Sequence, residues 1–211
     1  AFAVSVGVLF IANLGGRANA MKLLLGGMAL SAVCSAFSSF IIYFAQDKEG
    51  IQTITYWMMG SLAGAKWEHM ALIGGITALA VLFFWSQSRI LNLMLLGDES
   101  AITLGTDLHP YRQAYLIVSA LVVGFAVFAA GMIGFVGLVV PHVVRMLVGT
   151  DHKRLIPVTA LTGAVFLVIA DGLCRVLIPH TELPIGILIA LVGAPAFIYL
   201  MVKRTYGFGG Q

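Results

Sequence analysis

The sequence predicts an all-α, polytopic membrane bundle, and three observations carry that prediction. The first is composition. The 211 residues are 60% hydrophobic and only 10% charged, with a mean hydropathy of +1.01, whereas a soluble domain carries about a quarter charged residues. The second is block length. Several apolar runs approach the ~20 residues that an α-helix needs to cross a bilayer. The third is the placement of cations, which gather in alternate turns.

Composition and motifs also exclude several functions. There is no GxxxxGK[ST] phosphate loop, so the chain is not expected to bind ATP. No HExxH, CxxC or carboxylate cluster points to a metal centre. No cofactor, catalytic residue or nucleic-acid partner is indicated. Cys34 and Cys174 both fall inside apolar runs and read as small buried hydrophobes.

Taken in order, Ala1 to Ala12 is apolar but too short to span, and starts mid-run like the tail of a truncated helix. Gly15, Gly16, Arg17 and Lys22 form a turn. Leu23 to Ala45 is the first full span, with small residues such as Gly26, Gly27, Ala29 and Ser31 that allow close packing. Gln46 to Gly50 ends it. Ile51 to Glu68 carries Tyr56, Trp57 and Trp67, an interfacial signature, and is read as a short surface helix that does not cross. Gly60 and Gly64 there have GxxxG spacing, a weak signal in a chain with 24 glycines. His69 to Ser86 is the second span.

Asn92 to Arg112 is the longest run that does not read as a membrane segment. Leu95, Leu96, Ala101, Ile102 and Leu104 alternate with Asp98, Glu99, Thr103, Thr106 and Asp107. This pattern predicts short amphipathic helices outside the hydrocarbon, turning at Gly97 and Gly105. They would either rest on lipid headgroups or form a docking surface for a soluble protein.

Gln113 to Gly131 is the third span. Ile133 to Val148 is the fourth, short and interrupted by Gly134, Gly137 and Pro141. Asp151 to Arg154 is a polar turn. Ile156 to Ile178 is the fifth span, Pro179 to Pro184 a turn, and Leu183 to Val202 the sixth. Arg17 and Lys22, Arg89 and Arg112, Arg145, Lys153 and Arg154, and Lys203 and Arg204 then fall on one side. The positive-inside rule places that side, the 92–112 loop and the C-terminus in the cytoplasm.

Among the ionisable groups within spans, Asp171, Arg175 and His142 are functional candidates. Asp171 and Arg175 are four apart on one helical face, which reads as a self-neutralising pair or as part of a relay. His142 follows Pro141 and reads as a packing residue, with the relay again as the alternative.

Three stretches together resemble the FecCD-type permeases of bacterial ABC importers: LLGDESAITLG (Leu95 to Gly105), GMIGFVGLVVPHVVRMLVGTDHKRLIP (Gly131 to Pro157) and ADGLCRVLIPHTELPIGILIALVGAPAFIYLM (Ala170 to Met201). LLLGGMALSAVCSAFS (Leu23 to Ser38) and WMMGSLAGAKW (Trp57 to Trp67) match in style. The resemblance covers essentially the whole chain. It implies the C-terminal two-thirds of a type II importer permease of about ten helices, forming one domain over residues 1–211. It also implies import of an iron chelate (siderophore or haem) or cobalamin across the bacterial cytoplasmic membrane.

The implied partners are a cytoplasmic ATPase subunit, an extracytoplasmic substrate-binding protein and a second permease subunit, in a homodimer or heterodimer. Leu96, Gly97, Asp98, Glu99, Ala101, Leu104 and Gly105 would couple to the ATPase. On the opposite face Glu182 is the expected docking residue for the binding protein, or else a helix cap, with Lys66 and Glu68 as further candidates. A different class of function, an ion-coupled secondary transporter, would use Asp171, Arg175 and His142 as its relay.

Overall fold

Among the described residues, the long apolar blocks fold as helices. The computed structural model describes residues 20–45, 47–177 and 183–203, together with Val4 and Gly7. Among the described residues the elements are α1 (Ala20–Phe44), α2 (Lys48–Met59), α3 (Trp67–Ser86), α4 (Ser88–Met94), α5 (Asp98–Thr103), α6 (His109–Ala130), α7 (Val136–Val148), α8 (His152–Leu177) and α9 (Ile185–Lys203).

Four helices are long and apolar enough to cross a membrane: Leu24–Phe44, Trp67–Ser86, His109–Ala130 and His152–Leu177. Val136–Val148 and Ile185–Tyr199 are shorter apolar helices. At about 1.5 Å per residue the 13 residues of α7 cover roughly 20 Å, short of the ~30 Å hydrocarbon core. Of the six expected spans, four therefore meet the length criterion.

Several boundaries differ from expectation, each for a local reason. The polar run after the first span starts a new helix: the Asp47 carboxylate accepts the backbone N–H groups of Glu49 and Gly50 at 3.1 Å, an N-cap for α2. The predicted surface helix from Ile51 to Glu68 is two elements. α2 stops at Met59, and Trp67 and Glu68 open α3. Gly60 and Gly64 lie in the intervening turn, so the GxxxG spacing has no helical face. Lys22 sits in the first turn of α1 instead of in a turn before it. Residues 131–135 are not helical. Phe135 takes a left-handed φ of 63° and its carbonyl then starts α7, accepting from Val139 N–H at 2.8 Å. The expected turn Asp151 to Arg154 is the cap and first turn of α8, with Asp151 accepting the Lys153 N–H.

Cys174 is buried as expected, but Cys34 is exposed. An apolar run in a membrane helix does not say which face turns inward, because its outward face is apolar too. Most of α1 is outward in this sense: Met21, Leu24, Phe37 and Phe40 are all exposed.

α8 is the central helix, packing against α3, α4, α7 and α9. One core cluster joins Ala170 and Cys174 to Ile185 and Ile189, with Leu62, Ile133 and Phe135 against it. The other joins Val140 and Val144 to Leu155.

At one end of the bundle the chain is held by backbone contact. Ser61 N–H donates to the Ala130 carbonyl at 2.9 Å and Met132 N–H to that of Trp57 at 3.4 Å. A Cβ on Gly131 would collide with the Trp57 carbonyl oxygen, and one on Gly186 with that of Met59. Glycine at these two positions lets the end of α2, the link before α7 and the start of α9 meet without side chains between them.

Candidate functional site

The opposite end carries the segment from α4 to the start of α6. α4 ends at Met94, and the chain reverses at Gly97, whose φ of 87° is favoured by glycine. α5 then runs six residues and closes with a Schellman arrangement. Gly105 (φ 80°) donates to Ile102 O at 2.9 Å, and Thr106 donates to Ala101 O at 2.9 Å. Both predicted turning glycines are thus turns. Of the short helices expected in this segment, only α5 lies within Leu95 to Gly105; the one before it, α4, begins at Ser88 and ends at Met94, so Asn92 is helical.

The segment is amphipathic in the expected sense, with one reassignment. Leu96 and Leu104 are each at least 60% exposed, and Leu95 and Ile102 are exposed with Asp98 and Glu99 beside them. Ala101 is fully buried and Leu108 nearly so. Ala101 therefore anchors α5 to the bundle, and the outward face is made by its neighbours.

Polar contacts fix this surface to the spans. The Arg112 guanidinium of α6 grips the Asp98 carboxylate with two prongs, at 2.7 and 3.2 Å. Tyr115 donates to the Gln87 side-chain carbonyl at 3.2 Å, at the joint between α3 and α4. Asn92 of α4 donates to Asp151 at 2.8 Å, and its carbonyl oxygen accepts the His152 N–H at 2.9 Å. Those hydrogen bonds, first from Asn92 and then from the Lys153 N–H, hold the Asp151 carboxyl below its usual range.

The last clamp follows from a proline. Pro157 lies inside α8 and has no N–H, so the carbonyl four residues earlier, that of Lys153, loses its helical donor. The Trp85 indole N–H of α3 donates to that carbonyl at 3.0 Å. Sequence reasoning assigned no role to Trp85, Asn92 or Asp151. The signal available was Pro157 in a helix that otherwise continues.

The remaining predicted site residues lie elsewhere. Lys66 and Glu68 are exposed at the start of α3, at the glycine-knit end. Glu182 lies outside the described residues, as do Pro179, His180, Thr181, Gln46, Arg17 and Arg204. Asp171 and Arg175 form an i, i+4 ion pair at 2.8 Å with the guanidinium half exposed. His142 bonds the Leu138 carbonyl through Nδ1 at 2.7 Å and meets Phe197 edge-on, on the seam between α7 and α9.

Four membrane-length helices with a clamped pair of short helices at one end have the make-up of a multi-pass membrane protein. The chain belongs to the FecCD transport family, whose profile matches residues 1–203. It is 38% identical over 197 residues to the hemin transport system permease protein HmuU of Yersinia pestis, covering 93% of this chain and 59% of that protein. It is 41% identical over 186 residues to the vitamin B12 import system permease protein BtuC of Salmonella typhi, covering 87% of this chain and 56% of that one. Among solved structures, a metal-chelate type ABC transporter in an inward-facing conformation superimposes with a TM-score of 0.84 at 35% identity, over 96% of this chain and 63% of the other. The chain thus spans somewhat over half the length of these relatives.

Proposed function

We propose that the chain is the permease subunit of an ATP-driven importer that moves an iron chelate, haem or cobalamin across the bacterial cytoplasmic membrane. The observation that carries this reading is the clamped α4–α5 surface, set between two membrane-length helices in a member of the FecCD family. Haem and vitamin B12 are the cargoes named for its relatives.

On this reading residues 1–211 are one permease domain with about six full spans plus a partial N-terminal one, and 92–112 is its cytoplasmic coupling loop. Leu96, Gly97, Asp98, Glu99, Leu104 and Gly105 meet a separate ATPase subunit, with Ala101 holding α5 in place. ATP hydrolysis belongs to that partner. The C-terminus is cytoplasmic, as the cation distribution favours. The opposite end, with Lys66, Glu68 and Glu182, receives an extracytoplasmic binding protein. A second permease subunit completes the path, and the exposed apolar face of α1 supplies surface for a neighbour.

The test is a double substitution, Leu96→Asp with Leu104→Asp, in the complete transporter. Both side chains are exposed, so folding and insertion should survive while ATPase co-purification and ATP-driven uptake fall together. Uptake that persists in these variants and collapses with a protonophore would replace this reading with ion-coupled transport.

A further inference from the structure

Beside the α4–α5 surface, α3 and the start of α8 border an open cavity of about 600 Å³. Val81, Leu82 and Pro157 form its apolar wall, and Lys153 and Arg154 stand at one edge with Trp85 and Asp151. Both cations are exposed. We propose that this cavity binds the headgroup and upper acyl chain of an anionic phospholipid.

Three observations carry the proposal. First, the two walls are fixed relative to each other. The Trp85 indole is bonded to the Lys153 carbonyl at 3.0 Å, and Asn92 is bonded to Asp151 and to the His152 N–H. The cations are therefore presented next to the apolar wall by a preformed frame. Second, the layout runs from charge through an indole to aliphatic surface, the order that a lipid presents between headgroup and chain.

Third, the start of α8 has no amides left for a free anion. His152 N–H goes to Asn92, Lys153 N–H to the Asp151 carboxylate, and Arg154 and Leu155 N–H to the Asp151 carbonyl at 3.1 and 2.9 Å. Only the two flexible side chains remain to meet negative charge, and Asp151 offsets part of their field. A small phosphate gains little there. A lipid gains the charge and the apolar wall together.

The experiment uses the complete transporter, full-length permease with its ATPase, in nanodiscs of equal parts phosphatidylglycerol and phosphatidylcholine. Bound lipid is counted by native mass spectrometry after extraction into detergent. Wild type should retain phosphatidylglycerol in preference to phosphatidylcholine. Lys153→Gln with Arg154→Gln should lower that retention by roughly tenfold or more, since each cation near a headgroup counts for about a factor of five. Leu82→Trp, which fills the apolar wall and leaves the charge untouched, should also lower it. Equal retention in the charge variant overturns the proposal. So does displacement of the lipid by millimolar inorganic phosphate, which would mark a free-anion site. Loss of the ATPase from the charge variant with lipid retention unchanged would assign the cavity to a protein contact instead.

Discussion

The two ends of this bundle are held by opposite means. At one end Gly131 and Gly186 bring three backbone segments into contact, with N–H to carbonyl bonds at Ser61 and Met132. At the other, side chains bridge the helices: Arg112 to Asp98, Asn92 to Asp151 and Trp85 to the Lys153 carbonyl. Backbone contact tolerates no added atom, so the glycine end should fail abruptly. Side-chain bridges are individually worth about 1 kcal/mol, so the polar end should fail by degrees.

The sharpest break of this contrast is at the glycines. Gly186→Ala and Gly131→Ala each drive a methyl group onto a carbonyl oxygen, and Gly131 also has a φ of 69°. A cost of about 3 kcal/mol or more is expected, lowering the melting temperature by roughly 6–12 °C in a chain of this size. Gly74→Ala, where a Cβ meets nothing within 4 Å, is the control and should leave the melting temperature unchanged or raised. Fluorescence-detected thermal melting in detergent reads all three. Similar behaviour of Gly186→Ala and Gly74→Ala would dissolve the distinction.

At the polar end, Gly97→Val tests conformation without collision, since the φ is 87° and nothing lies within 4 Å of a Cβ there. A local cost of about 1–3 kcal/mol is expected. It should distort α5 while the global melt moves little and, on the proposed function, lower transport-coupled ATP hydrolysis. A melt that falls as far as that of Gly186→Ala would place Gly97 with the packing glycines.

A smaller effect isolates the proline clamp. Trp85→Phe should cost about 1 kcal/mol by leaving the Lys153 carbonyl without its donor. In a Pro157→Ala background, residue 157 regains an N–H for that carbonyl, and the same change should cost less than half as much. Additive costs in this double-mutant cycle would mean that the indole acts by packing alone.

The smallest effect is the acid response of Asp151. Its folded pKa lies below the ordinary 3.8, so its contribution is complete above that value and is lost as pH falls through the lowered one. Wild type and Asp151→Asn should therefore differ by a constant amount at neutral pH and converge only in strong acid. A difference that opens between pH 5 and 8 would implicate another group.

The contrast also marks what was legible in the sequence. Long apolar blocks, the turning glycines 97 and 105 and the amphipathic 95–104 pattern are local signals, and each appears at the expected place. Element edges were less legible because capping is a side-chain decision: Asp47 and Asp151 look like loop residues until their carboxylates are seen accepting backbone N–H groups. The amphipathic string by itself groups Ala101 with the outward residues, and only packing shows that it is the anchor. The junction at Gly131 and Gly186 was not legible at all. Glycine is common along this chain, and nothing in spacing says which glycines meet across the fold.

The clamps at the polar end have a consequence for biosynthesis. Trp85 is separated from Lys153 by 68 positions, and Asn92 from His152 by 60. At ~5–20 residues per second a ribosome takes several seconds to make that stretch. Throughout that interval α4 and α5 exist without the helix that holds them. The surface on which a soluble partner would seat acquires its shape only once α8 has been made and inserted, so the topology itself imposes an order in which insertion comes first and partner recruitment second.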